Sequence, residues 1–113
     1  MSLSYSEHIP VMTREVIARL GVRPGKIFID ATAGAGGHSL EILKELNNSG
    51  ELIAIEVDRE IVRILKRNLS FSYSNFSLFC NSYTRISEVI DEKRISGVHG
   101  VLFDFGMSSY QVD

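Results

Sequence analysis

The chain has 113 residues, of which 44% are hydrophobic and 23% charged, with a formal net charge of −2 and a pI near 5.9. This length allows one modest domain with a real core but not two, and no apolar run is long enough to span a membrane. A net negative charge argues against a domain whose main task is to grip a phosphate backbone, so any nucleic-acid contact is expected from a local patch.

Residues 1–7 contain neither the basic region nor the apolar region of a secretory signal, and the single cysteine, Cys80, excludes an internal disulfide. Cys80 lies in an apolar stretch, so we expect a buried, unreactive thiol. These features together predict a cytoplasmic protein without a membrane span.

Helical and extended patterns alternate along the chain. The spacing of apolar residues predicts four helices, over residues 10–20, 38–46, 58–69 and 86–95. Short apolar runs bounded by turn residues predict four strands, over residues 26–30, 52–56, 76–80 and 101–105. This order is typical of a parallel, doubly wound α/β sheet, with a short helix at 10–20, a cofactor-binding βαβ unit at 26–58 and further βα units at 58–113.

One predicted helix, capped by Asp58 at its start, is rich in basic residues. It carries Arg59, Arg63, Lys66 and Arg67, and it is the nearest candidate for a local basic patch. We interpret these side chains as a solvated helix face, which is the usual role of such charge runs.

The most informative segment is the turn after the first strand, where Asp30 is followed by Gly34, Gly36 and Gly37. Glycines in such a turn let the backbone approach a ligand, and the N-terminus of the next helix then faces it. Glu56 ends the second strand at the position of an acid that accepts hydrogen bonds from ribose hydroxyls. We therefore predict a nucleoside cofactor at this edge of the sheet.

The glycine spacing distinguishes between two cofactor classes. Binders of NAD usually have Gly-x-Gly-x-x-Gly, because a pyrophosphate must approach the helix N-terminus closely. The pattern here is Asp-x-Thr-x-Gly-x-Gly-Gly over residues 30–37, which suits a nucleoside without pyrophosphate, such as S-adenosylmethionine. A nicotinamide-dependent oxidoreductase remains the alternative.

Three other side chains are candidates for the same site. Asp104, in an otherwise apolar fourth strand, is expected either to face a sulfonium or an incoming amine, or to be capped by the following backbone amides. Tyr83 is expected either against a purine ring or in ordinary packing. His38 has no partner at metal-ligand spacing, so no metal site is predicted, and a backbone role beside the cofactor is expected for it.

Three segments resemble one known family: His8–Val11, Phe28–Ser39 and Leu102–Asp113. They are similar to the RsmH (MraW) family of S-adenosylmethionine-dependent methyltransferases, which modify the N4 amine of a cytidine in small-subunit ribosomal RNA. The resemblance implies a Rossmann-like class I methyltransferase fold, here truncated after the fourth parallel strand.

The resemblance also implies roles for individual residues in cofactor binding. Gly36, Gly37 and His38 match positions that contact S-adenosylmethionine. Glu56 stands where the family usually has Asp and would hold the ribose, and Tyr83 stands where an aromatic residue lies by the adenine.

Asp104 and Gln111 match the remaining cofactor-contacting positions. Asp104 is in addition our candidate for a catalytic acid at the mouth of the site. Family members continue well beyond Asp113, and their surface for ribosomal RNA lies largely in that later part.

We therefore expect an N-terminal portion that binds the cofactor and does not methylate RNA alone. The alternative is a non-catalytic binding module that needs a partner segment. The fourth strand would then be an apolar edge through which the chain self-associates.

Overall fold

A computed structural model describes residues 11–104, with side chains from residue 13 onward. Within these residues, helices and strands alternate as predicted. The α-helices are α1 (Val11–Leu20), α2 (Gly37–Leu46), α3 (Arg59–Ser70) and α4 (Ile86–Lys93), and a short 3₁₀ helix covers Tyr83–Arg85. The strands are β1 (Lys26–Asp30), β2 (Gly50–Glu56), β3 (Phe76–Cys80) and β4 (Gly100–Leu102). None of the helices in the described part of the chain is long and apolar enough to cross a membrane.

The strands form one sheet in the order β3-β2-β1-β4, and every neighbouring pair is parallel. This confirms the predicted parallel α/β architecture. Asp30 is paired in register with Ala54 and Leu102, and Glu56 is paired with Cys80. The carboxyl ends of the strands therefore meet at a common edge.

The core has two layers of side chains, one on each face of the sheet. Phe28, Leu52 and Ala54 point to the face covered by α1, α2 and α3, where they pack in one buried cluster with residues such as Leu43 and Leu65. The alternate strand residues Ile29, Ile53 and Ile55 point to the other face and pack with Val89 of α4. Burial on both faces explains the unalternating apolar sequences of β1 and β2.

Several element boundaries differ from the predicted ones by one to three residues, among them the start of β2, at Gly50 and not residue 52, and the ends of β4 and α4. The fourth strand, predicted over 101–105, ends at Leu102 because its partner β1 ends at Asp30 and offers no further pairing. The last helix ends at Lys93 and not at residue 95, because Arg94 adopts a left-handed φ of 56°. Residue 105 lies outside the described residues.

The prediction of a buried thiol was wrong. Cys80 is exposed, because it is the last residue of β3, and β3 lies at an edge of the sheet. Its thiol donates to the carbonyl oxygen of Val57 at 3.5 Å. The fourth strand, β4, lies at the opposite edge of the sheet. Self-association of the chain through this strand stays a prediction.

Gly50 provides a test of the sheet's construction. Its φ is +103°, and a β-carbon there would lie 2.2 Å from the carbonyl oxygen of Lys26. We expect Gly50→Ala to lower the free energy of unfolding by about 2–4 kcal/mol, since backbone atoms of β1 cannot give way. Chemical denaturation measures this. Gly97→Ala is the matched control, because no described atom lies within 4 Å of the position that its methyl group would take; equal losses for both variants would contradict the argument.

Candidate functional site

The candidate site lies along the edge where the parallel strands end, which is where open α/β sheets bind ligands. A cavity of about 150 Å³ opens there, lined by residues 31–32, 55–57 and 81–83. These residues follow or end β1, β2 and β3. A larger cavity of about 290 Å³ lies between α1 and α2, beside Arg14 and Glu45, and it touches none of the candidate residues.

The glycines of the turn have different structural tasks. Gly36 precedes α2 with a φ of +109°, and a β-carbon on it would lie 2.9 Å from Leu65 of α3. Gly36 is therefore required for close packing of the turn against α3. Gly34 and Gly37, in contrast, have no described atom within 4 Å of where a β-carbon would lie. They leave open space above the backbone.

Glu56 connects this turn to the start of α3. Its Oε1 accepts a hydrogen bond from the backbone N–H of Gly34 at 2.9 Å, and its Oε2 accepts one from Asp58 at 3.0 Å. Asp58 in turn caps α3 by accepting from Glu60 and Ile61, which confirms the predicted cap. Each carboxylate oxygen of Glu56 retains a further lone pair that can accept from a ligand hydroxyl.

Asp30 is a fully buried carboxylate at the end of β1. Ser39 donates to its Oδ2 at 2.8 Å, while Oδ1 is buried with no hydrogen-bond partner among the described residues. Burial raises the pKa of Asp30 to about 6, against the opposing effects of the Ser39 hydrogen bond and the nearby His38. The sequence pattern assigned Ser39 no role. A serine in the first turn of the helix that follows an acid-terminated strand is the signal that would have found it.

His38 and Asp104 meet through their side chains. The Nε2 of His38 lies 2.7 Å from Oδ2 of Asp104, and Nδ1 of His38 is buried without a hydrogen-bond partner in the described part of the chain. The backbone N–H of Asp104 donates to Oγ1 of Thr32 at 2.6 Å. The imidazole of His38 therefore connects α2 to the segment after β4, a contact that the sequence did not predict, and the expected backbone role beside the cofactor stays a prediction. The sequence pattern also assigned no role to Thr32.

Tyr83 lines the cavity and is partly exposed. Its ring meets Phe103 edge to face, with centroids 5.9 Å apart and an interplanar angle of 83°. An aromatic wall thus stands at the mouth of the cavity. The pair joins the segment after β3 to the segment after β4.

The structure therefore brings most of the predicted site residues to one edge. Asp30, His38 and Asp104 gather at the ends of β1 and β4, while Gly34 and Glu56 join the turn to β2. Gln111 lies outside the described residues. Between residues 11 and 104, no group of three or more His, Cys, Asp or Glu side chains is arranged to hold a metal ion.

Comparison with known proteins identifies relatives over nearly the whole chain. A family model described as the MraW methylase family matches residues 5–113. The ribosomal RNA small subunit methyltransferase H of Dictyoglomus thermophilum is 44% identical over 108 residues, which are 96% of this chain and 36% of that protein. The chain thus spans little more than a third of the length of the curated relatives it matches.

Solved structures share the fold at lower identity. NSun6 from Pyrococcus horikoshii superposes with a TM-score of 0.69 at 22% identity, covering 85% of this chain and 24% of that one. A SAM-dependent O-methyltransferase from Thermotoga maritima gives a TM-score of 0.62 at 18% identity, covering 75% and 31%. These likenesses confirm the predicted Rossmann-like methyltransferase fold.

The buried carboxyl of Asp30 predicts a specific pH dependence of stability. Because its pKa is raised from 3.8 to about 6, the native state binds this proton more tightly than the unfolded state. Its contribution to the free energy of unfolding therefore falls as pH rises from about 4 to 6, by about 3 kcal/mol in total. Asp30→Asn should remove this decline relative to the parent, as measured by urea unfolding between pH 4 and 8.

The control for this comparison is Asp91→Asn, which alters an exposed acid on α4. Its profile should run parallel to that of the parent protein. If the Asp30→Asn profile also runs parallel to the parent, Asp30 does not titrate in this range.

Proposed function

The chain belongs to the MraW methylase family, and on that premise we propose that it carries the donor-binding part of an S-adenosylmethionine-dependent methyltransferase. Its proposed substrate is small-subunit ribosomal RNA, and its proposed target is the N4 amine of a cytidine. The name of the Dictyoglomus thermophilum relative supports the RNA substrate, and the resemblance to the RsmH family supports the N4 position.

The observation that carries this proposal is the open space above Gly34 and Gly37, next to the carboxylate of Glu56. A backbone without side chains allows close approach of a ligand, and an acid at the end of β2 can accept from two ribose hydroxyls. The residues present therefore fit an adenosyl group. Tyr83, at the wall of the adjoining cavity, is the proposed contact for the adenine ring.

The amino-acid end of the donor finds matching groups beside α2. Oδ1 of Asp30 is a buried acceptor without a described partner, suited to an ammonium group, and Nδ1 of His38 is a buried ring nitrogen also without one. Unsatisfied buried polar atoms are costly, so they favour a ligand that completes them. We assign these two residues, with Gln111, to binding of the donor.

S-adenosylmethionine supplies a methyl group on a positively charged sulfonium. When bound, it would transfer this methyl group from sulfur to the nitrogen of the cytosine amine, which would lose a proton. That nitrogen is a weak nucleophile because its lone pair is delocalised into the ring, so alignment of the reactants is the protein's main task. Asp104, held by His38 and Thr32, is the proposed acid that orients the amine by accepting its hydrogen bond.

The function is tested with the full-length protein that contains this chain. Incubated with S-adenosylmethionine and small-subunit ribosomal RNA, it should produce N4-methylated cytidine, detected by mass spectrometry of the digested RNA. Glu56→Gln should raise the KM for the donor about tenfold, because one charged acceptor for the ribose is lost. Glu60→Gln, which alters an exposed acid on α3, should leave the KM for the donor unchanged. Absence of methylated cytidine with the parent protein would overturn the proposal.

The two classes of glycine predict opposite effects on stability. Gly36→Ala should lower the melting temperature, since its methyl group would collide with Leu65 at an unfavourable φ. Gly37→Ala meets no described atom and lies in the first turn of α2, so it should leave the melting temperature unchanged or raise it. Its methyl group should nevertheless weaken binding of S-adenosylmethionine, measured by calorimetry. Unchanged donor affinity for Gly37→Ala would place the ligand elsewhere.

A further inference from the structure

The outward face of α3 has a charge opposite to that of the whole chain. The helix contains four basic residues and one acidic residue, a net charge of +3, whereas the chain has a net charge of −2. All four basic side chains are exposed: Arg59, Arg63, Lys66 and Arg67. The remainder of the chain is therefore acidic, and α3 is an element of net positive charge within it.

These charges are barely neutralised within the protein. Arg63 forms an ion pair with Glu60 at 3.2 Å, but both side chains are about three-quarters exposed, and such surface pairs contribute little. Across residues 13–104, Arg59 and Arg67 take part in no ion pair. They remain available to an external anion.

The three arginines form a row, as a ridge that winds around the outer side of the helix and ends at an aromatic ring. Arg59, Arg63 and Arg67 are spaced four residues apart, so they follow one another along one side of the helix at intervals of about 6 Å. Phe71 continues the row with helical backbone angles and is 93% exposed. A phenylalanine so fully exposed contributes nothing to the core, and packing gives no reason for it.

The opposite side of α3 is attached to the glycine turn. Leu65 and Leu69 are buried in the core, and Asn68 donates to the backbone oxygen of Ala35 at 2.9 Å. The row is thus displayed on a helix whose inner side contacts the glycine turn of the candidate donor site. A macromolecule held by the row would lie on the same body as the methyl donor.

We propose that the row Arg59–Arg63–Arg67, with Lys66 and Phe71, is a docking surface for the sugar-phosphate backbone of ribosomal RNA. This inference rests on the proposed function and extends it by assigning a substrate surface to α3. Arginines spaced along such a ridge suit successive phosphates of one strand, and an exposed phenylalanine suits stacking with an unpaired base. Docking of an acidic protein on the same surface is an outcome of the test below, in which the RNA affinity of the α3 variant would equal that of its control.

The experiment uses the full-length protein and purified small-subunit ribosomal RNA, with binding measured at several salt concentrations. The α3 variant combines Arg63→Gln with Arg67→Gln. Its matched control combines Arg14→Gln with Arg19→Gln, two exposed arginines of α1. Both variants remove the same charge, so a general loss of attraction to RNA would affect them equally.

We expect the α3 variant to bind the RNA about tenfold more weakly than the control. Its slope of log affinity against log salt should be shallower by about 1 to 2, because two phosphate contacts are lost. Phe71→Ala should weaken binding about fivefold without changing that slope, since stacking releases no counterions. Affinity for S-adenosylmethionine should be the same in all of these variants.

Equal affinity and equal slope for the α3 variant and the control would overturn the inference. A lower melting temperature of the α3 variant with unchanged RNA affinity would also overturn it, because the row would then stabilise the protein and not bind RNA. An assay of methyl transfer to the RNA tells a failure of the docking surface apart from a failure of the proposed function. If the parent methylates the RNA and the α3 variant binds and methylates subsaturating RNA as well as the control does, the docking surface is wrong and the function stands.

The same measurements also recognise the case in which the proposed function fails and the docking surface is right. If the parent transfers no methyl group but the α3 variant still loses RNA affinity relative to the control, the docking surface stands and the function fails. If the parent does not bind the RNA at all, both are wrong.

Discussion

A carboxylate buried completely at the end of a central strand constrains everything around it. Asp30 cannot reach water, so its charge at neutral pH depends on Ser39, His38 and the backbone of Thr32, which oppose the effect of burial on its pKa. These partners come from α2 and from the turn that leads into it. The placement of α2 against the sheet therefore determines which groups stabilise the charge of Asp30.

At the same edge of the sheet, two side-chain hydrogen bonds connect different elements. Glu56 joins the end of β2 to the glycine turn through Gly34, and His38 joins α2 to the segment after β4 through Asp104. Each connection involves a residue proposed to bind the donor. A ligand that alters one of these hydrogen bonds therefore acts on the relative placement of two elements, and not on a single loop.

The glycine turn also couples the donor site to α3. Gly36 packs against Leu65, and Ala35 accepts a hydrogen bond from Asn68. The inner side of α3 thus serves the core and the turn, while its outer side carries the arginine row. One helix accordingly meets three requirements: burial of apolar surface, support of the turn, and display of positive charge in an acidic chain.

By itself, the sequence determined the order of elements, the bounds of β1 and β3, the parallel sheet and the Asp58 cap, because apolar periodicity and capping are local properties. It also identified the acids and glycines at the strand ends, whose position along the chain already places them at one edge. Only the tertiary structure decided that Cys80 is exposed, that β4 is short, and that His38 contacts Asp104. These outcomes depend on which strand lies at an edge, where a partner strand ends, and how residues 66 positions apart are brought together. No local pattern contains that information, because it arises from the pairing of distant segments.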